Sequence, residues 1–168
     1  MFRTKEFRIL KSEPILIFSI PICLIIFLLL IIIRPIILIR FGLLHSDRIG
    51  HFIINTEIFF CEKRLNEDKR NVLDLFYFPT KPCNYQFAKM LKRKIIILPK
   101  IIIRPFCLIS RKFKFLSIHV TGKSIGGDYD VKNTLDKFKP QVSFTNNEIE
   151  YGMIQLNKMG VKKNQKII

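Results

Sequence analysis

A chain of 168 residues is long enough for one domain of ordinary size. Its 29 Lys and Arg against 13 Asp and Glu give a net charge of +16, but the cations are scattered. Ile, Lys, Leu and Phe dominate and no aromatic–basic module of the RRM type is present, which sets nucleic-acid binding aside. Cys23, Cys61, Cys83 and Cys107 stand far apart, with no C-x-x-C or Cys/His ligand spacing. That excludes a zinc module and predicts buried, reduced thiols in a cytoplasmic domain.

The first segment, residues 1–14, is a basic flank with Arg3, Lys5, Arg8 and Lys11. Ile15–Ile33 then runs without a charge, interrupted only by Ser19 and Pro21. A bilayer core needs about 20 apolar residues in a helix. A signal peptide would have a shorter apolar core and a small-residue cleavage site, whereas Arg34-Pro35 follows here. The segment therefore reads as a transmembrane anchor, the alternative being a buried apolar helix of a larger fold. Both flanks are basic, so charge does not set the orientation. A basic surface beside an anchor suits anionic lipid headgroups and anionic substrates.

Beyond the anchor, apolar runs and amphipathic stretches alternate. Ile36–Phe41 reads as a central parallel strand. His51–Glu62 reads as a helix with Phe52, Ile53, Ile54, Ile58, Phe59 and Phe60 as its apolar side. Val72–Phe78 is a second strand, stopped by Pro79 and Pro82. Asn84 can cap a helix over Tyr85–Arg93. Lys94–Leu98 is a third strand, and Ile101–Lys112 a helix interrupted at Pro105. Phe115–Val120 is a fourth strand, followed by a Gly-rich loop and a short helix over Val131–Phe138. Gln141–Phe144 is a fifth strand. Thr145-x-x-Glu148 is a capping box for a helix over Asn147–Met159, ended by Gly160. This alternation predicts an α/β fold: a Rossmann-like parallel sheet with flanking helices over 34–161, behind the anchor at 15–33.

The loop Ser46–His51 is the candidate site. It joins a strand to a helix start, the junction at which α/β sheets bind ligands. Gly50 lets a ligand approach the backbone. Arg48 can hold a phosphate bidentately. His51, in the first turn, can take a proton from an attacking hydroxyl. Asn55 lies one turn further on the same face. The competing reading is that Arg48 and His51 merely cap and solvate a helix start.

Other patterns carry less. Asp128-Tyr129-Asp130 can hold a divalent cation, but helix capping is the simpler role for it. Gly122-Lys123-Ser124 resembles the end of a Walker A loop, yet position 117 is serine, so that motif fails. His45 and His119 are isolated and read as structural. No catalytic triad or nucleophile elbow is visible.

Several blocks are similar to a family of bacterial glycosyltransferases associated with surface-polysaccharide genes. They are Arg34-Pro35, Ile39-Arg40-Phe41-Gly42, Arg48-Ile49-Gly50-His51-Phe52, Asn55-Thr56-Glu57 and Cys61-Glu62. Weaker ones follow in order: Asn84-Tyr85-Gln86, Lys89-Met90, the Asp128–Val131 region, Phe144-Thr145, Glu148, Gly152, Leu156 and Met159-Gly160. The resemblance implies the N-terminal half of a GT-B fold, in which two Rossmann-like domains flank a cleft. It implies sugar transfer that needs no metal or cofactor, with a nucleotide sugar as substrate and a glycan or lipid-linked acceptor. By position His51 would be the base, with Arg48 and the Gly50 backbone holding an anionic group. Family members continue into a donor-binding domain, so 162–168 reads as a truncated end, and a separate C-terminal half is an implied partner. The expected place is the inner membrane, with the globular part cytoplasmic. The alternative function is a non-enzymatic, membrane-tethered interaction module.

Overall fold

The computed structural model describes residues 14–65, 71–122, 130 and 133–161. Helix α1 (Pro14–Ile33) leads by a tight turn into β1 (Ile37–Leu43). There follow α2 (Ile49–Leu65), β2 (Asn71–Tyr77), α3 (Tyr85–Lys92), β3 (Ile96–Ile97) and α4 (Lys100–Lys112). A 3-10 turn (Lys114–His119) and helix α5 (Asn146–Lys158) complete the described elements. The strands form one parallel sheet in the order β1-β2-β3. Val120 adds a single parallel bridge to Phe41, on the side of β1 away from β2. The chain thus moves outward through three strands and then returns to the far side of the first, the pattern of a doubly wound sheet.

Strand alternation assigns each face its layer. Phe41 and Tyr77, with half-buried Ile39, Leu43 and Leu75, meet α1, α4 and the 3-10 turn. Phe76, Leu44 and half-buried Ile97 meet α2 and α3. Phe41 stacks on Phe106 at 4.8 Å, and Phe27 of α1 meets both rings edge-on. On the other face Phe52 meets Phe87 edge-on at 4.9 Å. His119 is buried in the first layer, where its Nδ1 donates to the Ile39 carbonyl at 2.6 Å.

The transmembrane anchor expected over Ile15–Ile33 is corrected. Among the described residues no helix is long and apolar enough to cross a membrane. The segment is helical, but it is a layer of the α/β domain. Cys23, Phe27 and Leu30, spaced four and three apart, are buried against β1 and α4. A charge-free stretch reads alike whether its apolar partner is lipid or protein, and here protein takes one side of it.

Other expectations shift for local reasons. The fourth strand over Phe115–Val120 is replaced by the 3-10 turn, because Leu116 and His119, three residues apart, both turn inward. Gln141–Phe144 forms no strand, since the backbone N–H groups of Gln141 and Val142 donate to the Glu57 carboxylate at 2.7 and 2.9 Å. The short helix over Val131–Phe138 lies partly outside the described residues. Its described part is a turn, with the Asp130 carboxylate accepting from the Thr134 hydroxyl and the Leu135 N–H. Helix α4 runs unbroken through Pro105, whose ring removes only the bond that would reach Ile101. Both predicted caps are present. Asn84 Oδ1 accepts from Phe87 N at 2.8 Å, and Thr145 and Glu148 close a reciprocal capping box. At the other end of α5, Gly160 at φ +83° carries the left-handed turn that stops the helix.

Among the described residues, one carboxylate is buried within the apolar sandwich. Asp74, buried on β2, sits opposite Arg40 on β1. Its carboxylate accepts from Arg40 Nε at 2.6 Å and from Lys63 Nζ of α2 at 2.7 Å. Asp74→Ala would strand Arg40 and is expected to cost about 3 kcal/mol in urea unfolding, whereas Lys63→Ala, at the exposed end of the triad, should cost below about 1 kcal/mol.

Helix α5 has no buried residue. It is held through Glu148, whose two oxygens take the Arg93 guanidinium at 2.8 and 3.0 Å while Gln86 donates at 2.7 Å. The Arg93 hydrogen bond, then that from the Thr145 N–H, holds the Glu148 carboxyl down at about 2, below its usual 4.5. A lowered folded value means that this anchorage is complete above pH 4.5 and is lost as the pH falls toward 2. Protection of the α5 amides, measured as exchange relative to the intrinsic rate at each pH, should fall over that interval, and Glu148→Gln should show low protection already at neutral pH.

Candidate functional site

The C-terminal edge of the sheet opens between β1 and Val120, where the strand order reverses. Three segments converge there. A Cβ on Gly42 would lie 2.6 Å from the Phe76 ring and 2.9 Å from the Thr121 methyl, so only glycine fits. Thr121 N donates to the Phe41 carbonyl at 3.0 Å. The loop leaving β1 is pinned to the loop leaving β2. Buried Ser46 donates its hydroxyl to the Thr80 carbonyl at 3.2 Å, and Cys83 N donates to the Ser46 carbonyl at 2.8 Å. The start of α2 is therefore set on a fixed platform at this edge.

The four candidate residues fall just before α2 and on its first two turns. Arg48 is the residue before the helix, and its carbonyl accepts from Phe52 N at 2.9 Å. Its guanidinium is exposed, 3.9 Å from the Asp47 carboxylate. Gly50 faces open space, with nothing within 4 Å of the place a Cβ would occupy. His51 is half-buried in the first turn. Asn55, one turn on, is also half-buried, and its Oδ1 is shielded from water without a hydrogen-bond donor. The helix start brings outward-pointing N–H groups and partial positive charge to the same place. An exposed guanidinium, an open backbone position, an imidazole and an unsatisfied amide oxygen thus lie along one helix end. They suit an anionic group at Arg48 and Gly50, and a hydroxyl-bearing ligand near His51 and Asn55.

A second stripe of α2 does something different. Ile53, Glu57 and Cys61, each four apart, line a largely apolar cavity of about 470 Å³ shared with Phe87 and Met90 of α3 and with Phe138. Both Glu57 oxygens are engaged by backbone N–H groups, so this carboxylate ties a segment down. Burial, then the charge of Glu57, pushes the Cys61 thiol up. Burial lifts Cys107 further, to about 12, and also raises Cys23. All four cysteines are free, and Cys83, against the expectation of burial, is exposed. None of Arg48, Gly50, His51 or Asn55 lines the cavity.

Among the described residues no three His, Cys, Asp or Glu side chains are grouped to hold a metal ion. Asp128 of the D-x-D triplet lies outside the described residues. The Arg40–Asp74–Lys63 triad and the clamp by Glu57 escape a reading of the sequence as interactions. Their signals are present in it: a lone Arg and a lone Asp inside apolar strands, and an acid four residues from Ile53 and from Cys61 on one helix side. No protein-family model matches the chain, and neither a curated protein nor a solved structure is significantly similar to it.

Because Gly50 is helical with open space around it, the fold gains nothing from glycine there. Gly50→Ala is expected to raise stability by about 0.5 kcal/mol in denaturant unfolding. A ligand that needs the bare backbone would be bound more weakly by the same variant.

Proposed function

We propose that this domain is the acceptor side of a GT-B-like sugar transferase acting on a surface glycan or a lipid-linked acceptor. The observation that carries this reading is the placement of Arg48, Gly50, His51 and Asn55 at the α2 start, beside the reversal of strand order. The resemblance of the 34–62 blocks to bacterial glycosyltransferases points the same way. In the proposed reaction an acceptor hydroxyl attacks the anomeric carbon of a nucleotide sugar. His51 takes the hydroxyl proton, and the bond to the diphosphate breaks to release the nucleoside diphosphate. Asn55, one turn from His51, flanks the acceptor, and Arg48 holds negative charge. In this reading α5 offers a docking face to a donor-binding half, because Ile149, Tyr151, Ile154 and Met159 are all exposed.

A second reading, a non-enzymatic interaction module, rests on the same uncovered α5 face. Transfer of labelled sugar from nucleotide sugars to glycan or lipid acceptors separates the two, in extracts of cells carrying the full chain. His51→Ala, with its fold checked by circular dichroism, is expected to lower transfer about a hundredfold. Unchanged transfer removes His51 as the base. Transfer that does not depend on the wild-type chain at all favours the interaction module.

A further inference from the structure

The outward side of α1 has the chemistry of neither a buried face nor a wetted one. Ile22, Ile25, Leu28, Leu29 and Ile32 are 61, 62, 63, 57 and 71 % exposed. With Leu24 and Ile31 they cover about half the helix circumference, opposite the Cys23–Phe27–Leu30 stripe. Ile36 continues the patch in the turn before β1. Contiguous apolar surface of this kind marks a place where something docks.

Helix α4 lies beside α1 in the same layer. Its inner side buries Ile103, Phe106, Cys107 and Ile109. Its outer side carries Ile101, Arg104, Leu108, Arg111 and Lys112, an apolar-and-basic mixture. The chain then presents Phe113, Lys114 and Phe115, all exposed. Between Pro14 and Ser46, and again between Arg93 and Gly127, the sequence holds no Asp or Glu. Every acidic residue among the described ones lies outside these two stretches. Among the described residues, the layer of α1 and α4 therefore carries apolar and cationic side chains and no acid.

That separation decides between occupants. Two copies of this chain meeting through the layer would bring like charges together, with no carboxylate among the described residues of α1 and α4 to set against them. A lipid surface offers acyl carbon beneath a plane of anionic headgroups, which matches an apolar strip rimmed by Arg and Lys. From this we infer that the α1–α4 layer lies flat on an anionic bilayer, with the outward side of α1 sunk among the lipids and the helix in the interfacial plane rather than across it. This inference is independent of the sugar-transfer reading.

Flotation of the full chain with vesicles tests it, using phosphatidylcholine alone or mixed with phosphatidylglycerol. The chain is expected to float with the mixed vesicles, more weakly with the neutral ones, and to be released by alkaline carbonate. Ile25→Asp with Leu28→Asp should abolish flotation with both. Arg111→Gln with Lys114→Gln should weaken binding to the mixed vesicles roughly thirtyfold and leave neutral binding unchanged. Ile154→Asp, on the exposed side of α5, should change nothing. Failure to float with either vesicle overturns the inference, as does retention after carbonate. It is overturned also if flotation survives Ile25→Asp/Leu28→Asp, or if sedimentation shows self-association that this pair removes.

Discussion

The Asp74 carboxylate fixes more of this structure than any other single group. Buried between two strands and a helix, it is tolerable because Arg40 pairs with it across the sheet, and Lys63 adds a second, more exposed contact. The Arg40 contact sets β1 against β2 in register, and a slip by one residue would turn every strand side chain to the wrong face. The same register puts Gly42 opposite Phe76, where the missing Cβ lets Thr121 close in from the other side. The crevice at the C-terminal edge is thus a consequence of an ion triad near the middle of the sheet. The Lys63 contact holds the last turn of α2, where a cation also complements the helix dipole. The end of α2 that carries His51 is held by the Ser46 contacts, and the end that carries Lys63 by Asp74.

Much of the scaffold is legible in the sequence because local signals and packing agree. The strands expected over Ile36–Phe41 and Val72–Phe78 form at Ile37–Leu43 and Asn71–Tyr77, and the caps at Asn84 and Thr145 form as their spacing implies. Reading fails where a partner distant in sequence decides the structure. The alternating Lys114-Phe115 pattern resembles a strand, but Leu116 and His119 find the core only as a 3-10 turn. Gln141 and Val142 have strand-like composition, yet Glu57, 84 residues from Gln141, takes the N–H bonds that a ladder would need. The α1 segment misleads for a related reason. Hydropathy reports that a surface avoids water and says nothing of whether lipid or a neighbouring helix covers it.

The candidate site is legible in residue type and only partly in geometry. Arg48, Gly50 and His51 gather at a helix start, as the strand–loop–helix pattern implies. That the Asn55 amide oxygen is sealed off without a donor is visible only in three dimensions. Burying an unsatisfied carbonyl costs about 1–3 kcal/mol, and a fold keeps such a group readily when a ligand supplies the missing donor. Such a sealed oxygen is a rarer feature than a half-buried histidine at a helix start, which has an ordinary structural use.

The two halves of the domain divide the physical tasks. One layer, α1 with α4, is cationic and apolar on its outer side and holds none of the candidate residues. The other, α2 with α3, carries the candidate residues at one end and the cavity along its length. The sheet between them keeps these surfaces apart by about a helix diameter plus the sheet, roughly 15 Å. A domain resting on lipid through the first layer would present its open edge sideways, neither buried in headgroups nor turned away from them. An acceptor anchored in the bilayer could then reach His51 only if its hydroxyl stands off the lipid by a comparable distance, which favours an acceptor with a polar spacer between lipid and reacting group.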